Sequence, residues 1–139
     1  MGISYDVSDG IAMVRFDRPD KLNALTLAMY RELGDAFIAA RDDKRVRVVI
    51  LTASGQRAFC VGADLRSWDS DYLGRPGEYW KWFGAFKDMH DRLREVGKPT
   101  IARINGSAVG GGNELQMACD LAVIADDAFI RHVGLQHGS

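Results

Sequence analysis

Residues 100–118 read TIARINGSAVGGGNELQMA, and three successive elements can be predicted within them. The apolar run 100–104 predicts a short strand, 106–112 predicts a glycine-rich turn, and 113–118 predicts the start of a helix. A strand, a turn and a helix in direct succession form the unit from which α/β proteins with parallel strands are built. The stretch therefore predicts an α/β fold.

The same alternation is found toward the amino end of the chain. Residues 3–7 and 11–16 predict two strands joined by a turn at Ser8-Asp9-Gly10, which is a hairpin signal. Thr26 then predicts the cap of a helix, and the apolar run 46–51 predicts a strand covered on both faces. The apolar residues of the capped helix recur at helical spacing: Met29, Leu33, Phe37 and Ala40.

Two further segments complete the order of elements. Residues 54–64 predict a glycine-bearing loop, and the pieces 121–124 and 128–130 predict short strands. Strands and helices alternate, so we expect the sheet to be largely parallel. Between these segments, one face of a second long helix is marked by Trp82, Phe86, Met89 and Leu93.

Composition limits the classes of function. The 139 residues, 47% hydrophobic and 27% charged, fit one globular domain. Eighteen basic against nineteen acidic residues provide no field that would favour nucleic acid or an anionic membrane. No run approaches the roughly 18 apolar residues of a membrane span, so we expect a cytoplasmic protein. Cys60 and Cys119 predict reduced thiols and no metal site.

The two glycine loops are the candidate site for chemistry. Both follow an apolar strand, and parallel sheets bind ligands beyond the carboxyl ends of their strands, so the loops could face one pocket. Residues 109–114 run from turn into helix, where free N–H groups and the helix dipole stabilise a developing anion. The glycine spacing fits neither a dinucleotide fingerprint nor a P-loop. Close packing of helix on strand is the structural alternative.

Glu114 lies in the first turn of the predicted third helix. A carboxylate there suits the helix dipole, which gives it a plain structural role. Beside apolar neighbours such as Val109 and Leu115 it could instead serve as a general acid/base.

Other combinations of residues are weaker candidates for a functional site. His132, His137 and Ser139 could be imagined in a triad, but nothing presents the serine on a nucleophile elbow, and two histidines without a third ligand make a poor metal pair. Core or interface positions, rather than a base-stacking platform, are expected for Trp68, Trp80 and Trp82.

Three segments together resemble the crotonase (enoyl-CoA hydratase/isomerase) superfamily. They are RPDKLNAL at 18–25, AFCVGADL at 58–65, and NGSAVGGGNEL at 105–115, the last followed by Cys119-Asp120. The resemblance covers essentially the whole chain in order and spacing. It implies a ClpP/crotonase-like spiral of ββα units.

The resemblance also implies a domain larger than this chain. Family members run to about twice this length and end in helices that complete the pocket and build trimers or dimers of trimers. We therefore expect residues 1–139 to be the amino-terminal portion of a single crotonase-like domain, truncated before the carboxy-terminal trimerisation helices. The full-length form is expected to be a homo-trimer or hexamer, and the chain alone is expected to expose apolar surface.

By resemblance, the substrate is an acyl-CoA thioester, and coenzyme A enters only as part of it, with no permanently bound cofactor. The N–H groups of Ala63 and Gly111 are expected to hold the thioester oxygen. Glu114 matches the first catalytic glutamate of family hydratases. The residues expected to line the path of substrate and coenzyme A are Lys21, Ala24, Ala63, Asp64, Leu65, Arg66, Gly110 and Gly111.

The second family glutamate is replaced here by Gly134. Branches that lack this glutamate, ring-opening hydrolases among them, carry a stretch similar to 134–139, and the resemblance makes His137 or a residue beyond position 139 the candidate second acid/base. The leading prediction is a lyase, an enoyl-CoA hydratase/isomerase that stabilises a thioester enolate. The alternatives are a ring-opening hydrolase or carbon–carbon bond enzyme on a cyclic acyl-CoA, and a non-catalytic fragment that binds coenzyme A or mediates oligomerisation.

Overall fold

A computed structural model describes residues 2–134 of the chain. Within this range, helices pack on a five-stranded sheet, and a smaller three-stranded sheet lies next to it. The predicted α/β fold is therefore confirmed. The strands are β1 (Ile3–Ser8), β2 (Ile11–Phe16), β3 (Val48–Ala53), β4 (Ala58–Cys60), β5 (Thr100–Ile104), β6 (Ser107–Val109), β7 (Leu121–Ile124) and β8 (Ile130–Arg131).

The larger sheet has the strand order β1-β2-β3-β5-β7. Its first two strands form the predicted hairpin, and the other neighbouring pairs are parallel. The register aligns Val14 with Leu51 and Leu51 with Ala102, all almost fully buried. These small and branched side chains place the centre of the core on the middle strands.

The helices cover this sheet. The Thr26 hydroxyl accepts a hydrogen bond from the Met29 N–H at 3.3 Å, which confirms the predicted cap. The two long helices pack against each other, with Leu33 and Leu93 among their buried residues. The helices are α1 (Leu27–Asp42), α2 (Leu65–Asp71), α3 (Pro76–Arg94) and α4 (Gly111–Ala118).

The largely parallel pairing is confirmed, but the sequence does not predict that the strands divide between two sheets. Strands β4, β6 and β8 form a second, parallel sheet. The loop expected at 54–64 contains β4, and the turn expected at 106–112 contains β6 and the start of α4. Strands of three residues beside glycine are too short to show a period of two, so their sequences look like loop.

Candidate active site

The two glycine loops meet at one edge of the small sheet. Strands β4 and β6 are parallel neighbours, so the residues that follow them leave the sheet on the same side. A Cβ on Gly62 would lie 3.0 Å from the Gly111 nitrogen, and a Cβ on Gly111 would lie 3.5 Å from the Gly62 Cα. The two loops therefore lie in contact with each other, and the shared pocket expected between them stays a prediction.

Two backbone donors lie at this meeting point. The Leu25 N–H donates to the Gly62 carbonyl at 2.8 Å, and the Asp64 N–H donates to the Leu25 carbonyl at 2.9 Å. This parallel bridge leaves the N–H of Ala63 on the side away from Leu25. Gly111 is the first residue of α4, so its N–H has no acceptor within the helix. Among residues 2–134, neither N–H donates to a backbone carbonyl.

The glycines of the third segment have separate roles. Gly110 has a φ of 53°, a conformation that favours glycine. A Cβ on Gly112 would lie 2.1 Å from the Cys60 carbonyl oxygen, so α4 can sit on β4 only because this residue has no side chain. The packing interpretation of the glycine turn is confirmed at Gly112, while the N–H of Gly111 is left without a backbone acceptor among the described residues.

The segment 18–25 makes hydrogen bonds that fix the position of the loop at 54–64. The Arg18 guanidinium contacts the Asp64 carboxylate at 2.6 Å and donates to the Ala24 carbonyl at 3.0 Å. The buried Asn23 amide donates to the Ala58 carbonyl at 2.9 Å. Sequence reasoning assigned no structural role to Arg18 or Asn23, because contacts between distant segments leave no local pattern.

The Asp64 carboxylate is engaged in the fold. The Arg18 guanidinium holds the pKa of Asp64 below its usual range, opposed by partial burial. The other carboxylate oxygen accepts from the Arg66 N–H at 3.1 Å and caps α2. Of the other side chains expected beside coenzyme A, Lys21, Leu65 and Arg66 are exposed around the loops, whereas Ala24 is buried.

Glu114 is half-buried in the first turn of α4, and its N–H donates to the Gly110 carbonyl at 3.0 Å. The hydroxyl of the buried Tyr30 lies 3.9 Å from the position of a Cβ on Gly111. Burial raises the pKa of Tyr30, and the neighbouring Cys60 and Glu114 add to this effect. Sequence reasoning missed Tyr30 because its place beside Met29 indicates only a core position.

Cys60 lies directly beneath the loops, where it is completely buried. Burial raises the pKa of its thiol to about 12, so it stays protonated at neutral pH and is a poor nucleophile. Its carbonyl and side chain serve to pack α4.

The strand β8 brings the region of the missing second glutamate close to the loops. The Gly110 N–H donates to the Arg131 carbonyl at 3.1 Å, and a Cβ on Gly110 would lie 3.4 Å from Val133. His132 is exposed. His137 and Ser139 lie outside the described residues, so the candidate second acid/base has no described position.

Between residues 2 and 134, no three His, Cys, Asp or Glu side chains group closely enough to hold a metal ion. In the same range, no helix has both the length and the apolar character needed to cross a bilayer.

The chain resembles known proteins in both sequence and fold. A family model described as enoyl-CoA hydratase/isomerase matches residues 6–139. A 6-oxocyclohex-1-ene-1-carbonyl-CoA hydrolase from Geobacter metallireducens is 36% identical over 135 residues, which is 96% of this chain and 35% of that protein.

Solved structures share the fold. An enoyl-CoA hydratase/carnithine racemase from Magnetospirillum magneticum matches with a TM-score of 0.93 and 32% identity, over 100% of this chain and 52% of its own. An enoyl-CoA hydratase from Bacillus anthracis matches with a TM-score of 0.92 and 29% identity, over 100% and 53%. The chain therefore spans about half the length of these solved relatives and about a third of the hydrolase.

Proposed function

Because the chain belongs to the enoyl-CoA hydratase/isomerase family, we propose that it binds an acyl-CoA thioester with the thioester oxygen between the N–H groups of Ala63 and Gly111. The observation that supports this proposal is the direct contact of the two glycine loops at Gly62, which precedes Ala63, and Gly111. The amino end of α4 adds a positive partial charge. Donors placed in advance stabilise an enolate oxygen by about 3 kcal/mol each.

Glu114 is the proposed general acid/base. In a hydration, its carboxylate takes a proton from water while the water oxygen bonds to the β-carbon of the enoyl group, and the π electrons move onto the thioester oxygen. The enolate then collapses as a proton is delivered to the α-carbon. This reaction would make the protein a lyase, with the second proton supplied from the region after β8, where His137 is the candidate.

A ring-opening hydrolase acting on a cyclic acyl-CoA is the second proposal. It is supported by the 36% identity to the Geobacter hydrolase and by Gly134, which stands where a second glutamate is expected. Glycine has no group to carry a proton, so the second step would use a different residue. Both reactions place negative charge on the thioester oxygen and therefore use the same pair of donors.

The remaining proposals concern the cofactor, the cellular location, the oligomeric state and the residues that bind the substrate. Coenzyme A would enter with the substrate, so no resident cofactor is proposed. We propose a cytoplasmic protein that forms trimers or hexamers. Residues proposed to line the thioester path are Lys21, Ala24, Asp64, Leu65, Arg66 and Gly110.

The test is the ultraviolet absorbance of the conjugated thioester in crotonyl-CoA and in a cyclic enoyl-CoA. Glu114→Gln should lower turnover by about 10²- to 10⁴-fold, because the amide cannot take a proton. Glu95→Gln, an exposed change at the end of α3, is the matched control and should leave turnover unchanged. Normal turnover by Glu114→Gln would refute the acid/base role, and binding of thioesters without turnover by the parent would favour a binding module.

A further inference from the structure

The direction of the Ala63 N–H depends on where Leu25 is held. The Leu25 N–H donates to the Gly62 carbonyl at 2.8 Å, and the Asp64 N–H donates to the Leu25 carbonyl at 2.9 Å. The Gly62 carbonyl and the Ala63 N–H belong to one planar trans peptide, so they point in opposite directions and fixing one fixes the other. The proposed donor is therefore aimed by the bridge between Leu25 and Ala63.

One guanidinium nitrogen bonds to both sides of this bridge. The Nη1 atom of Arg18 contacts the Asp64 carboxylate at 2.6 Å and donates to the Ala24 carbonyl at 3.0 Å. Ala24 is the residue before Leu25. Asp64 is the residue after Ala63. The same nitrogen therefore cross-links the two segments immediately beside the bridge.

The backbone of Arg18 is held independently of this guanidinium. Its N–H donates to the Asn23 side-chain oxygen at 2.9 Å, and its carbonyl accepts from the Asn23 N–H at 3.0 Å. Asn23 is 1% exposed and has a φ of 57°, and its amide donates to the Ala58 carbonyl at 2.9 Å. We therefore expect the turn at 18–23 to survive replacement of the Arg18 side chain.

The ion pair of Arg18 and Asp64 is mostly shielded from water, with side chains that are 27% and 13% exposed. Both contacts of the guanidinium are to groups of the chain itself, so it would act on a substrate only through the loop that it holds. Without it, the carboxylate would be left as an unpaired charge and would turn toward water, moving the peptide that it is attached to. Misplacing a catalytic contact by about 1 Å can lower a rate about 10²-fold.

We propose that Arg18 is a positioning residue for the proposed oxyanion hole, the pair of N–H groups of Ala63 and Gly111: by bonding to Asp64 and to the Ala24 carbonyl at once, it keeps the Ala63 N–H in line with the thioester oxygen. This assignment rests on the proposed function, because it takes Ala63 as a donor. Gly111 begins α4 and is held by that helix, so one of the two hydrogen bonds depends on Arg18.

The carbonyl stretching band of a bound thioester reports this hydrogen bond directly. The probes are butyryl-CoA and benzoyl-CoA, each with an isotopic label at the thioester carbonyl, measured by infrared difference spectroscopy on the protein expressed from its own gene. Hydrogen bonds weaken the C=O bond, so binding to the parent should lower the frequency relative to the free thioester in water. Arg18→Met should lose about half of this shift, because one of two donors moves out of line.

Turnover provides the second readout. On a thioester that the parent converts, Arg18→Met should lower kcat by about 10²-fold, and kcat/KM should fall with it, because the lost contact acts chiefly in the transition state. Arg15→Met is the matched control. Arg15 forms the same kind of ion pair, to Asp6 at 2.9 Å, but between the strands of the β1–β2 hairpin. It should keep the parental band shift and kcat.

The double variant Arg18→Met/Asp64→Asn separates positioning from stability. It has no unpaired charge, and asparagine can still accept from the Arg66 N–H, so its melting temperature should exceed that of Arg18→Met. The cross-link to the Ala24 carbonyl is still missing, so the band shift and kcat should stay low. Recovery of kcat and band shift together with the melting temperature would show that Arg18 serves stability alone, which would overturn the positioning role.

The remaining outcomes separate this role from the proposed function. A parental band shift in Arg18→Met would overturn the positioning role and leave the proposed function standing. Arg18→Lys keeps a cation on a side chain that is shorter by one bond, and a parental band shift in it would have the same meaning where Arg18→Met does not fold by circular dichroism. A parent that binds neither thioester, or binds them without lowering the frequency, would overturn the proposed function and the role of Arg18 with it.

Discussion

At the level of single residues, Gly111 offers a direct test of the backbone donor. The three atoms nearest to a Cβ there belong to Gly62, Leu25 and the Tyr30 hydroxyl, at 3.5 to 3.9 Å, which is ordinary contact, so alanine fits and keeps the N–H. Proline is compatible with the first position of a helix but has no N–H. We expect Gly111→Pro to lower turnover of an acyl-CoA by about 10²- to 10³-fold and Gly111→Ala to retain much more activity.

The measurement is kcat for the two variants, with melting temperatures as the control for folding. Similar losses in Gly111→Ala and Gly111→Pro would mean that space, not the N–H, is the requirement at this position. Full activity in Gly111→Pro would exclude the N–H as a donor to the substrate.

The ionisation of Asp64 makes the stability of the fold depend on pH. A carboxyl group whose pKa is lowered in the folded state stabilises the fold above its unfolded pKa of about 4, and this contribution is lost as the pH falls through the folded value. Asp64→Asn can still cap α2 but loses the ion pair with Arg18. The expected loss is about 1.5–3 kcal/mol at pH 7, since the pair is mostly buried.

Urea unfolding of the parent and of Asp64→Asn between pH 3 and pH 7 measures this difference. The two curves should be well separated near neutral pH and converge in acid. Asp69→Asn, an exposed change on the same helix, should follow the parent throughout. A separation that stays constant down to pH 3 would show that the ion pair is not its source.

At the level of elements, the seating of α4 on β4 depends on Gly112. Alanine would place its Cβ 2.1 Å from the Cys60 carbonyl oxygen, so one of the two elements must move. We expect Gly112→Ala to destabilise the fold by about 1–3 kcal/mol or more, as overpacking does. Gly84→Ala in α3 has nothing within 4 Å and should stabilise by about 0.5–1 kcal/mol. Denaturant unfolding tests both, and equal effects would contradict the packing argument.

The length of an element decides how well its sequence predicts it. Helices α1 and α3 have 16 and 19 residues, enough for several turns of apolar spacing, and both were predicted with their buried faces. Strands β4 and β6 have three residues each, and α2 has seven residues with none buried. The sequence therefore does not predict β4 and β6, although glycines mark the segments in which they lie.

Part of the candidate site can be predicted from the local sequence, and part depends on contacts between residues far apart in the chain. The glycine loops and the carboxylate of Glu114 are visible in the sequence, and the family resemblance adds the two backbone donors. The hydrogen bonds from Arg18 to Asp64 and from Asn23 to Ala58 join residues that are 46 and 35 positions apart. No local sequence pattern predicts such pairings. The hydrogen bonds that hold the site together can therefore be seen only in the folded chain.

At the level of the whole molecule, strand β7 leaves apolar surface open. It is an edge strand of the larger sheet, and its four residues are exposed. Leu121 and Val123 point to the same face and are 62% and 61% exposed. Exposed apolar strand edges and faces promote association. We therefore expect the 139-residue chain to self-associate and to bind a hydrophobic dye.

Sedimentation velocity of the parent, Leu121→Lys and Leu73→Lys tests where this association arises. Leu73 is 68% exposed in the loop between α2 and α3, away from β7, and so matches Leu121 in type and exposure. Lysine at 121 places a charge on the open face and should shift the chain toward the monomer, because burying an unpaired ammonium in a contact is costly. Lysine at 73 should leave the distribution unchanged. A monomeric parent, or equal effects of the two substitutions, would show that β7 is not a contact surface.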